Sequence, residues 1–312
     1  MIELSKDSTG VEITQAWQDS GIEVQKEFWR AYLQDIMSYD AMHGKLWRAK
    51  LNITPRPELF QHAVGEPLKL TGDWIVLGDV QLPTTDYDFA ILPAAIAKRH
   101  LSKPRQLLIV GDLLNMDCFA SYEKEVGLPS FRQEIESARV LLMEWYKVFD
   151  RIVWLPGNHE RRASRNTSAS IMMEDLALLI NAKIETSNLD HAIIETQNGE
   201  YRCVHGSEYG INQLTVADAL AAKYRQHIIS FHEHHCAIGY DRYGHNIILN
   251  GGGLFNQWYM AYTRLNTNKR ANMKQGFVML KNGYPYLFGK EPFTRWDDWL
   301  GTKATAIAEK AA

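Results

Sequence analysis

Three short apolar runs, each followed by glycine and a polar side chain, constrain the fold of this 312-residue chain more than any other feature. Four consecutive apolar residues between turn residues are typical of a strand buried on both faces of a sheet. Ligands gather beyond the carboxyl ends of such strands. We therefore expect Asp79, Asp112 and Asn158 to meet at one edge of a sheet. The runs and their endings are 74–77 with Gly78-Asp79, 107–110 with Gly111-Asp112, and 152–155 with Pro156-Gly157-Asn158, where a proline precedes the glycine.

Helix and strand patterns alternate between these runs and after them. This order predicts an α/β, or mixed α+β, domain. Asn282-Gly283 between two apolar runs predicts a hairpin over Gly276–Phe288. Helices are predicted at 86–100, where Pro93 interrupts the pattern, and at 131–149, 171–180 and 214–224, and further strands at 192–194, 201–204, 228–231 and 246–249.

Residues 1–65 have a different pattern, in which apolar residues recur at helical spacing among charged and amide side chains. We predict a helical N-terminal extension over 1–65 and the main domain over 66–312. Because the extension is not strongly basic, packing on the main domain or on a second subunit of a homo-oligomer is favoured over a nucleic-acid-binding or partner-binding module. The recurring residues are Ile22, Phe28, Tyr32, Ile36 and Trp47, and Pro55 and Pro57 end the pattern.

Composition narrows the class of protein. The net charge of −3 gives no global basic field that would attract nucleic acid, although a local basic patch is compatible with it. The N-terminus lacks a signal-peptide pattern, and no apolar stretch approaches the roughly 20 residues that span a bilayer. Three widely spaced cysteines do not resemble a disulfide framework. We therefore expect a cytoplasmic protein without membrane contact, in which Cys203 and Cys236 are buried hydrophobes rather than thiolate ligands.

Two histidine motifs complete a set of metal-binding side chains. They are Val204-His205-Gly206 and His232-Glu233-His234. With the three strand endings and the neighbouring Gln81 and His159, the chain offers two carboxylates, two amides and four imidazoles. This set suits two divalent ions with one histidine left for chemistry. Oxygen donors combined with imidazoles favour Mn²⁺, Fe or Zn²⁺ over Ca²⁺.

These five motifs, in this order, resemble those of the calcineurin-like metallophosphoesterases. The resemblance extends from Trp74 to Asn250, and Gly157-Asn158-His159-Glu160 is its most specific part. It implies a four-layer αββα sandwich, in which two mixed β-sheets lie between layers of helices. Within the family, the motifs are more similar to the DNA-exonuclease-like and general phosphodiesterase branches, including phage-type proteins, than to the protein Ser/Thr phosphatases.

The resemblance also implies a role for each residue. Asp112 would bridge two divalent metal ions, expected to be Mn²⁺, with Mg²⁺, Fe and Zn²⁺ as alternatives. A hydroxide between the ions would attack the phosphorus, and His159 would face the phosphate as general acid or charge stabiliser. The remaining ligands would be Asp79, Gln81 and His234 for the first ion, and Asn158, His205 and His232 for the second.

Two positions depart from the family pattern. Gln81 stands where the family usually has histidine, and because an amide is a weaker neutral donor we expect looser binding at the first site. Phe231 stands where the last motif usually has glycine, which raises the alternative that His235 is a ligand. Since alternate residues of an extended segment face the same side, we favour His232 and His234 as the pair and expect His235 behind the site or at the surface.

The substrate is less constrained than the metal centre. The segment 111–117 lacks the arginine of the protein Ser/Thr phosphatase branch. Cations near exposed aromatics would suit nucleic acid, whereas a solvated surface with aromatics in the core is the alternative. We predict a phosphodiesterase, with DNA or RNA as candidate substrates. The other hypotheses are an esterase for a small nucleotide and a catalytically impaired metal-binding scaffold. The side chains concerned are Arg161, Arg162, Arg165, Trp258, Tyr259, Tyr262, Arg264, Lys269, Arg270 and Lys274.

Overall fold

The computed structural model describes residues 3–50, 66–120, 128–167, 171–180, 182–260, 273–290 and 294–301. The chain separates into two compact units, Met1–Val64 and Gly65–Ala312. The predicted Pro55, Pro57, Tyr262, Arg264, Lys269 and Arg270 lie outside the described residues. Among the described residues, no helix combines the length and the apolar character needed to cross a bilayer.

The N-terminal unit is helical. Its helices are α1 (Gly10–Ser20), α2 (Gln25–Phe28), a π-helical turn at Trp29–Leu33, and α3 (Tyr39–Lys50). Thr9 and Glu12 form a capping box that begins α1. The unit has its own core, formed by Ile13, Ala16, Phe28, Leu33, Met42 and Leu46.

Two aromatics of this unit do not follow the expected spacing. Tyr32 and Trp47 are exposed rather than buried. Tyr32 lies in the π-helical turn, where the wider turn displaces a side chain from the face that a regular helix would give it. On α3, Met42 and Leu46 are four residues apart and occupy the buried face, so the next residue points away from it.

The second unit contains two mixed sheets of six strands each, as the family resemblance implied. The first sheet has the order β1-β6-β7-β8-β10-β9, and the second has the order β12-β11-β2-β3-β4-β5. In the second sheet β2, β3, β4 and β5 are parallel, while β11 and β12 are antiparallel to their neighbours. The strands are β1 (Leu68–Thr71), β2 (Trp74–Leu77), β3 (Gln106–Val110), β4 (Arg151–Leu155), β5 (Glu185–Thr186), β6 (His191–Thr196), β7 (Gly199–Val204), β8 (His227–Ser230), β9 (Cys236–Tyr240), β10 (Ile247–Gly251), β11 (Gly276–Lys281) and β12 (Tyr284–Gly289).

The helices cover the outer faces of the two sheets and so complete a four-layer αββα sandwich. One apolar cluster joins the second sheet to the helices on its outer face. Another fills the space between the sheets, and a smaller one places the helix Thr215–Tyr224 on the first sheet. The helices are α4 (Tyr87–Ala90), α5 (Leu92–His100), α6 (Phe131–Tyr146), α7 (Glu160–Asn166), α8 (Met173–Ile180), α9 (Thr215–Tyr224) and α10 (Trp296–Leu300).

Most predicted elements are present, one is divided, and five further elements were not predicted. The helix predicted at 86–100 is two helices, because Pro93 occupies the first turn of α5, where its missing N–H costs nothing. Strands β1, β5 and β9 and helices α7 and α10 were not predicted. The hairpin at Asn282-Gly283 is confirmed, and both residues have the positive φ of a two-residue turn.

Candidate metal centre

The predicted ligands lie together at the strand ends. Asp79 and Asp112 follow β2 and β3, Asn158 and His159 follow β4, and His205 follows β7. Tight backbone packing brings these ends together. A methyl group at Gly111 would lie 2.6 Å from the His205 ring and 2.6 Å from the Gly157 Cα. Glycine is therefore required where the two strand ends meet the histidine.

The side chains around Asp112 lie close together with their lone-pair atoms facing one another. Nδ1 of His205 lies 2.9 Å from the carbonyl oxygen of Val110, so Nδ1 carries the proton and Nε2 presents its lone pair. That Nε2 is 3.0 Å from Oδ1 of Asn158 and 3.3 Å from Oδ2 of Asp112. Ligand atoms of Asp112, His205 and His232 all lie within 4.8 Å of one another.

The buried oxygen Oδ2 of Asp112 accepts no hydrogen bond within the described part of the chain. A buried carboxylate oxygen without a donor is costly unless a cation compensates it. A metal ion bound by the three converging electron-pair donors would be such a cation. The residues around Asp112 therefore fit a divalent cation.

A second group of donors surrounds Asp79. Oδ1 of Asp79 lies 3.0 Å from Nε2 of His234, and the amide nitrogen of Gln81 lies 3.1 Å from the same Nε2. A half-turn of the amide exchanges its nitrogen for its oxygen at the same place. Oδ2 of Asp79 accepts the backbone N–H of His232 at 2.8 Å, which ties the two groups together. Asp79, Gln81 and His234 thus fit a second cation.

The backbone at these residues is strained. Asp79, Gln81, Asp112, His232 and His234 all have φ between 48° and 79°, the left-handed region that non-glycine residues rarely adopt. Five of the seven predicted ligands share this property. Such strain persists where the surrounding structure imposes it, typically at functional sites.

The electrostatics of the centre favour positive charge. Burial opposes ionisation of Asp112, but His159 and His205 outweigh it and lower the pKa of that carboxyl. Burial likewise opposes protonation of His205, yet Asp112 and Asp79 raise its pKa to about 10. Either a proton on Nε2 of His205 or a metal ion bound there would supply the positive charge that stabilises the two carboxylates.

His159 lies beside Asp112 with a different orientation from His205. Its backbone N–H donates to Oδ1 of Asp112 at 2.9 Å, and its Nε2 lies 3.4 Å from Oδ2 of Asp112. Burial lowers the pKa of His159 to about 3 despite the nearby carboxylate. The centre therefore holds a neutral imidazole at this position.

The carboxylate of Glu160 organises both metal-binding loops, a role that the sequence did not reveal. Its Oε2 accepts the backbone N–H groups of Asp112 at 2.9 Å and Gly157 at 2.8 Å, and its Oε1 accepts that of Leu114 at 3.1 Å. Burial and the Asp112 carboxylate raise the pKa of Glu160 to about 7, against the three N–H groups. The only indication of this role in the sequence was the position of Glu160 at the end of the Gly-Asn-His-Glu block.

Phe231 is part of the core between the sheets, which explains the missing glycine. Its ring fills the space beside Gly78 and Gly251, where a methyl group on either glycine would overlap it. Gly78 follows β2 of the second sheet and Gly251 ends β10 of the first sheet, so the glycines lie opposite residue 231 rather than at it. His232 and His234 both lie at the centre, but their left-handed φ shows that the segment is not the extended one assumed for the alternation.

His235 is buried, which excludes the surface position allowed for it. Its ring lies 6.0 Å from that of Tyr209, whereas His234 is the histidine that faces Asp79. Cys203 is also buried in the core between the sheets, and burial raises the pKa of Cys236 to about 12. Cys236 itself is half-buried rather than the buried residue expected, and its raised pKa disfavours a thiolate at that position.

Comparison with known proteins identifies the family. The sequence model of the calcineurin-like phosphoesterases matches residues 70–249, more than half of the chain. The chain belongs to this family. Together with the ligand cluster around Asp112, this membership makes the protein a metal-dependent phosphoesterase.

Solved structures of similar fold come from several organisms. A hypothetical protein from Pyrococcus horikoshii is 9% identical with a TM-score of 0.44, and the match covers 78% of this chain and 96% of that one. Vps29 from Chaetomium thermophilum is 10% identical with a TM-score of 0.39, covering 70% and 86%. A predicted phosphoesterase from Streptococcus pneumoniae is 14% identical with a TM-score of 0.30, covering 70% and 97%. No curated protein matches the sequence.

The cations and aromatics near the centre fall into two groups. Trp258 and Tyr259 are exposed rather than in the core, with 75% and 64% of their surface accessible. Arg161 and Arg165 are also exposed. Arg162, in contrast, is mostly buried and donates to the carbonyl oxygen of Asn115 at 3.0 Å, so it supports the loop after β3.

Proposed function

We propose that this phosphoesterase hydrolyses phosphodiester bonds with two divalent ions, most readily Mn²⁺, and that nucleic acid is its substrate. The observation that carries the proposal is the convergence of Asp79, Asp112, His205 and His234 on two adjoining points, with His159 alongside. Two such ions, bridged by a carboxylate about 3.5–4 Å apart, would activate water and neutralise the phosphate oxygens.

Each residue of the centre would have its own role in binding the ions or the phosphate. Asp112 would lie between the ions, while Asp79, Gln81 and His234 hold one and Asn158, His205 and His232 hold the other. His159, which is neutral at this position, would donate a hydrogen bond from its ring N–H to the phosphate; to protonate the leaving oxygen it would first have to take up a proton. Glu160 would keep the loops of Asp112 and Gly157 in register.

Nucleic acid is favoured over a phosphoprotein by the groups around the centre. Trp258 and Tyr259 offer exposed aromatic faces on which bases stack, and Arg161 and Arg165 offer cations for a phosphate backbone. The segment 111–117 lacks the arginine of the protein phosphatase branch. Cleavage of DNA or RNA should then weaken as salt concentration rises.

The decisive experiment combines metal analysis with hydrolysis of bis-p-nitrophenyl phosphate in added Mn²⁺. About two ions per chain with turnover, lost in Asp112→Ala and His159→Ala, is the expected result. His43→Ala, in the N-terminal unit, is the matched control and should retain full activity. A folded protein that binds two ions without turnover would instead support a scaffold role.

We further propose that the protein is cytoplasmic and self-associates through its N-terminal helices. The three cysteines are free thiols, which suits a reducing compartment. Val11 and Trp47 are exposed on the N-terminal unit and would be covered in a homo-oligomer. Sedimentation of the full chain beside Trp47→Glu tests this: a monomeric wild type would contradict it.

A further inference from the structure

A polar cavity of about 260 Å³ lies next to the proposed first metal site and has no role in the chemistry described so far. We call it the Trp258 pocket. Its lining includes the ring of Phe255, the exposed indole of Trp258, the amides of Asn256 and Gln275, and the ammonium group of Lys274. An exposed indole, amides and a cation in one cavity indicate a ligand that is flat and polar at its edges.

The walls of the pocket are attached to the predicted metal ligands. The ring of Phe255 packs on that of His234, with centroids 4.4 Å apart. The backbone N–H of Lys274 donates to the carbonyl oxygen of His234 at 2.7 Å. A ligand that fills the pocket is therefore held at a fixed place relative to His234.

A second attachment runs through the other ligand of the same site. The N–H of Asn256 donates to the carbonyl oxygen of Thr84 at 2.7 Å. The hydroxyl of Thr84 donates in turn to the backbone carbonyl oxygen of Gln81 at 2.7 Å. The N–H of Leu254 donates to the carbonyl oxygen of Asp79 at 3.0 Å. The loop that carries Trp258 is thus connected to the residues proposed to hold the first ion.

The charges of the pocket are arranged for a ligand of neutral or negative charge. Lys290 lies 2.5 Å from Oδ2 of Asp86, and the amide of Gln275 donates to the same oxygen at 3.1 Å. This neutralises the acidic side chain of the lining, so that Lys274 gives the pocket an excess of positive charge. The Asn256 side chain accepts the N–H of Trp258 at 3.1 Å, which fixes the turn that presents the indole.

We propose that the Trp258 pocket binds the nucleobase of a nucleoside phosphodiester while its phosphate lies at the metal centre. This inference rests on the proposed function and specifies its substrate class. The indole of Trp258 stacks on the face of the base, and the amides and Lys274 contact its edge. Such stacking is worth about 1–3 kcal/mol per base, or about 5-fold to 150-fold in affinity.

The first test compares two esters with the same leaving group in Mn²⁺, namely thymidine 5′-p-nitrophenyl phosphate and methyl p-nitrophenyl phosphate. We expect wild type to prefer the nucleoside ester in kcat/KM. Trp258→Ala should lose about tenfold on that ester and little on the methyl ester, whereas Trp258→Phe, which retains a stacking ring, should keep most of the preference. Tyr243→Ala, which removes another exposed aromatic side chain, is the control and should behave as wild type.

The second test measures binding of thymidine itself to the full-length protein as purified, by saturation-transfer NMR. Thymidine has no phosphate, so its binding reports on the pocket independently of catalysis. Binding that Trp258→Ala abolishes, even without hydrolysis of either ester, would support the pocket while the proposed function fails. Hydrolysis of both esters without a preference for the nucleoside ester, or thymidine binding unchanged in Trp258→Ala, would overturn the pocket.

Discussion

The side-chain amide of Gln81 lies 3.1 Å from Nε2 of His234, and both face the carboxylate of Asp79. Gln81 thus reaches the place from which the histidine usual in this family would bind the first ion. Its amide oxygen is a neutral and weaker donor than an imidazole nitrogen for Mn²⁺ or Zn²⁺. The departure in sequence is therefore compatible with a complete but loosely bound site.

Replacing Gln81 with histidine should tighten the first site. We expect Gln81→His to raise the affinity of the weaker of the two ions by about tenfold, and to shift the preference towards Zn²⁺, since imidazole suits that ion. Calorimetric titration with each metal measures both effects. Gln18→His, on the exposed face of α1, is the control. Equal affinities in wild type and Gln81→His would show that residue 81 does not bind the ion.

Glu160 should act as a positioning residue. In Glu160→Gln an NH₂ group replaces one of the two oxygens that accept the N–H groups of Asp112, Gly157 and Leu114. At least one buried N–H then faces another donor, which costs about 1–3 kcal/mol. We expect lower thermal stability and a fall in kcat at saturating Mn²⁺, with KM little changed.

Glu144→Gln provides the control for this change because Glu144 pairs with Lys147 on the surface. A surface ion pair contributes little, so its loss should leave kcat and stability close to wild type. Should Glu160→Gln lower stability but keep full kcat, the residue would be structural only, and the proposed role in holding the Asp112 loop would be wrong.

The sequence was most informative where short apolar runs end in glycine and a ligand-type side chain. Strand β2 with Asp79, β3 with Asp112 and β4 with Asn158 could be predicted because buried parallel strands leave an unambiguous apolar run. The order of the five motifs then implied the two mixed sheets that the structure has. The ligand roles themselves remain predictions, for which the facing donor atoms provide a geometric basis.

Other features depended on long-range packing that no local pattern reveals. Strand β9, Cys236–Tyr240, has exposed and half-buried residues, so it lacks the apolar run of a buried strand. Tyr32 was misassigned because a π-helical turn changes the helical register, and Trp47 was misassigned because Met42 and Leu46 set the buried face of α3. The Trp258 pocket is lined by residues far apart in the sequence, and only the folded chain brings them together.

Phe231 and Gly251 should prove energetically coupled. A methyl group at Gly251 would overlap the buried ring of Phe231, so Gly251→Ala should cost about 1–3 kcal/mol of stability. Phe231→Leu removes the outer ring atoms, and the double variant should therefore be destabilised by less than the sum of the two single changes. Urea unfolding of the four proteins gives the coupling energy.

Gly239→Ala supplies the control cycle. A methyl group there would meet the flexible side chain of Leu214 rather than Phe231, so its effect should add to that of Phe231→Leu. Strict additivity in the Gly251 cycle as well would mean that Phe231 is not what excludes a side chain at residue 251, and the explanation given for the missing glycine would have to be abandoned.

Glu134 should make the protein less stable as pH rises towards 8. The side chain is fully buried on α6, where its Oε2 accepts the N–H of Met116 at 2.7 Å. Burial raises its pKa from 4.5 to about 8, although that N–H favours the carboxylate. The folded state therefore keeps a proton that the unfolded chain has lost over this range. The stability this proton provides is complete below about pH 4.5 and is lost as pH rises through about 8.

Glu134→Gln isolates this contribution, since the amide cannot ionise and its oxygen can still accept the N–H of Met116. Each pKa unit corresponds to about 1.4 kcal/mol, so wild type should lose a few kcal/mol relative to the variant between pH 5 and pH 9. Urea unfolding at several pH values measures the difference. Glu136→Gln, exposed on the same helix, should run parallel to wild type. Parallel curves for Glu134→Gln as well would show that Glu134 ionises normally in the folded protein.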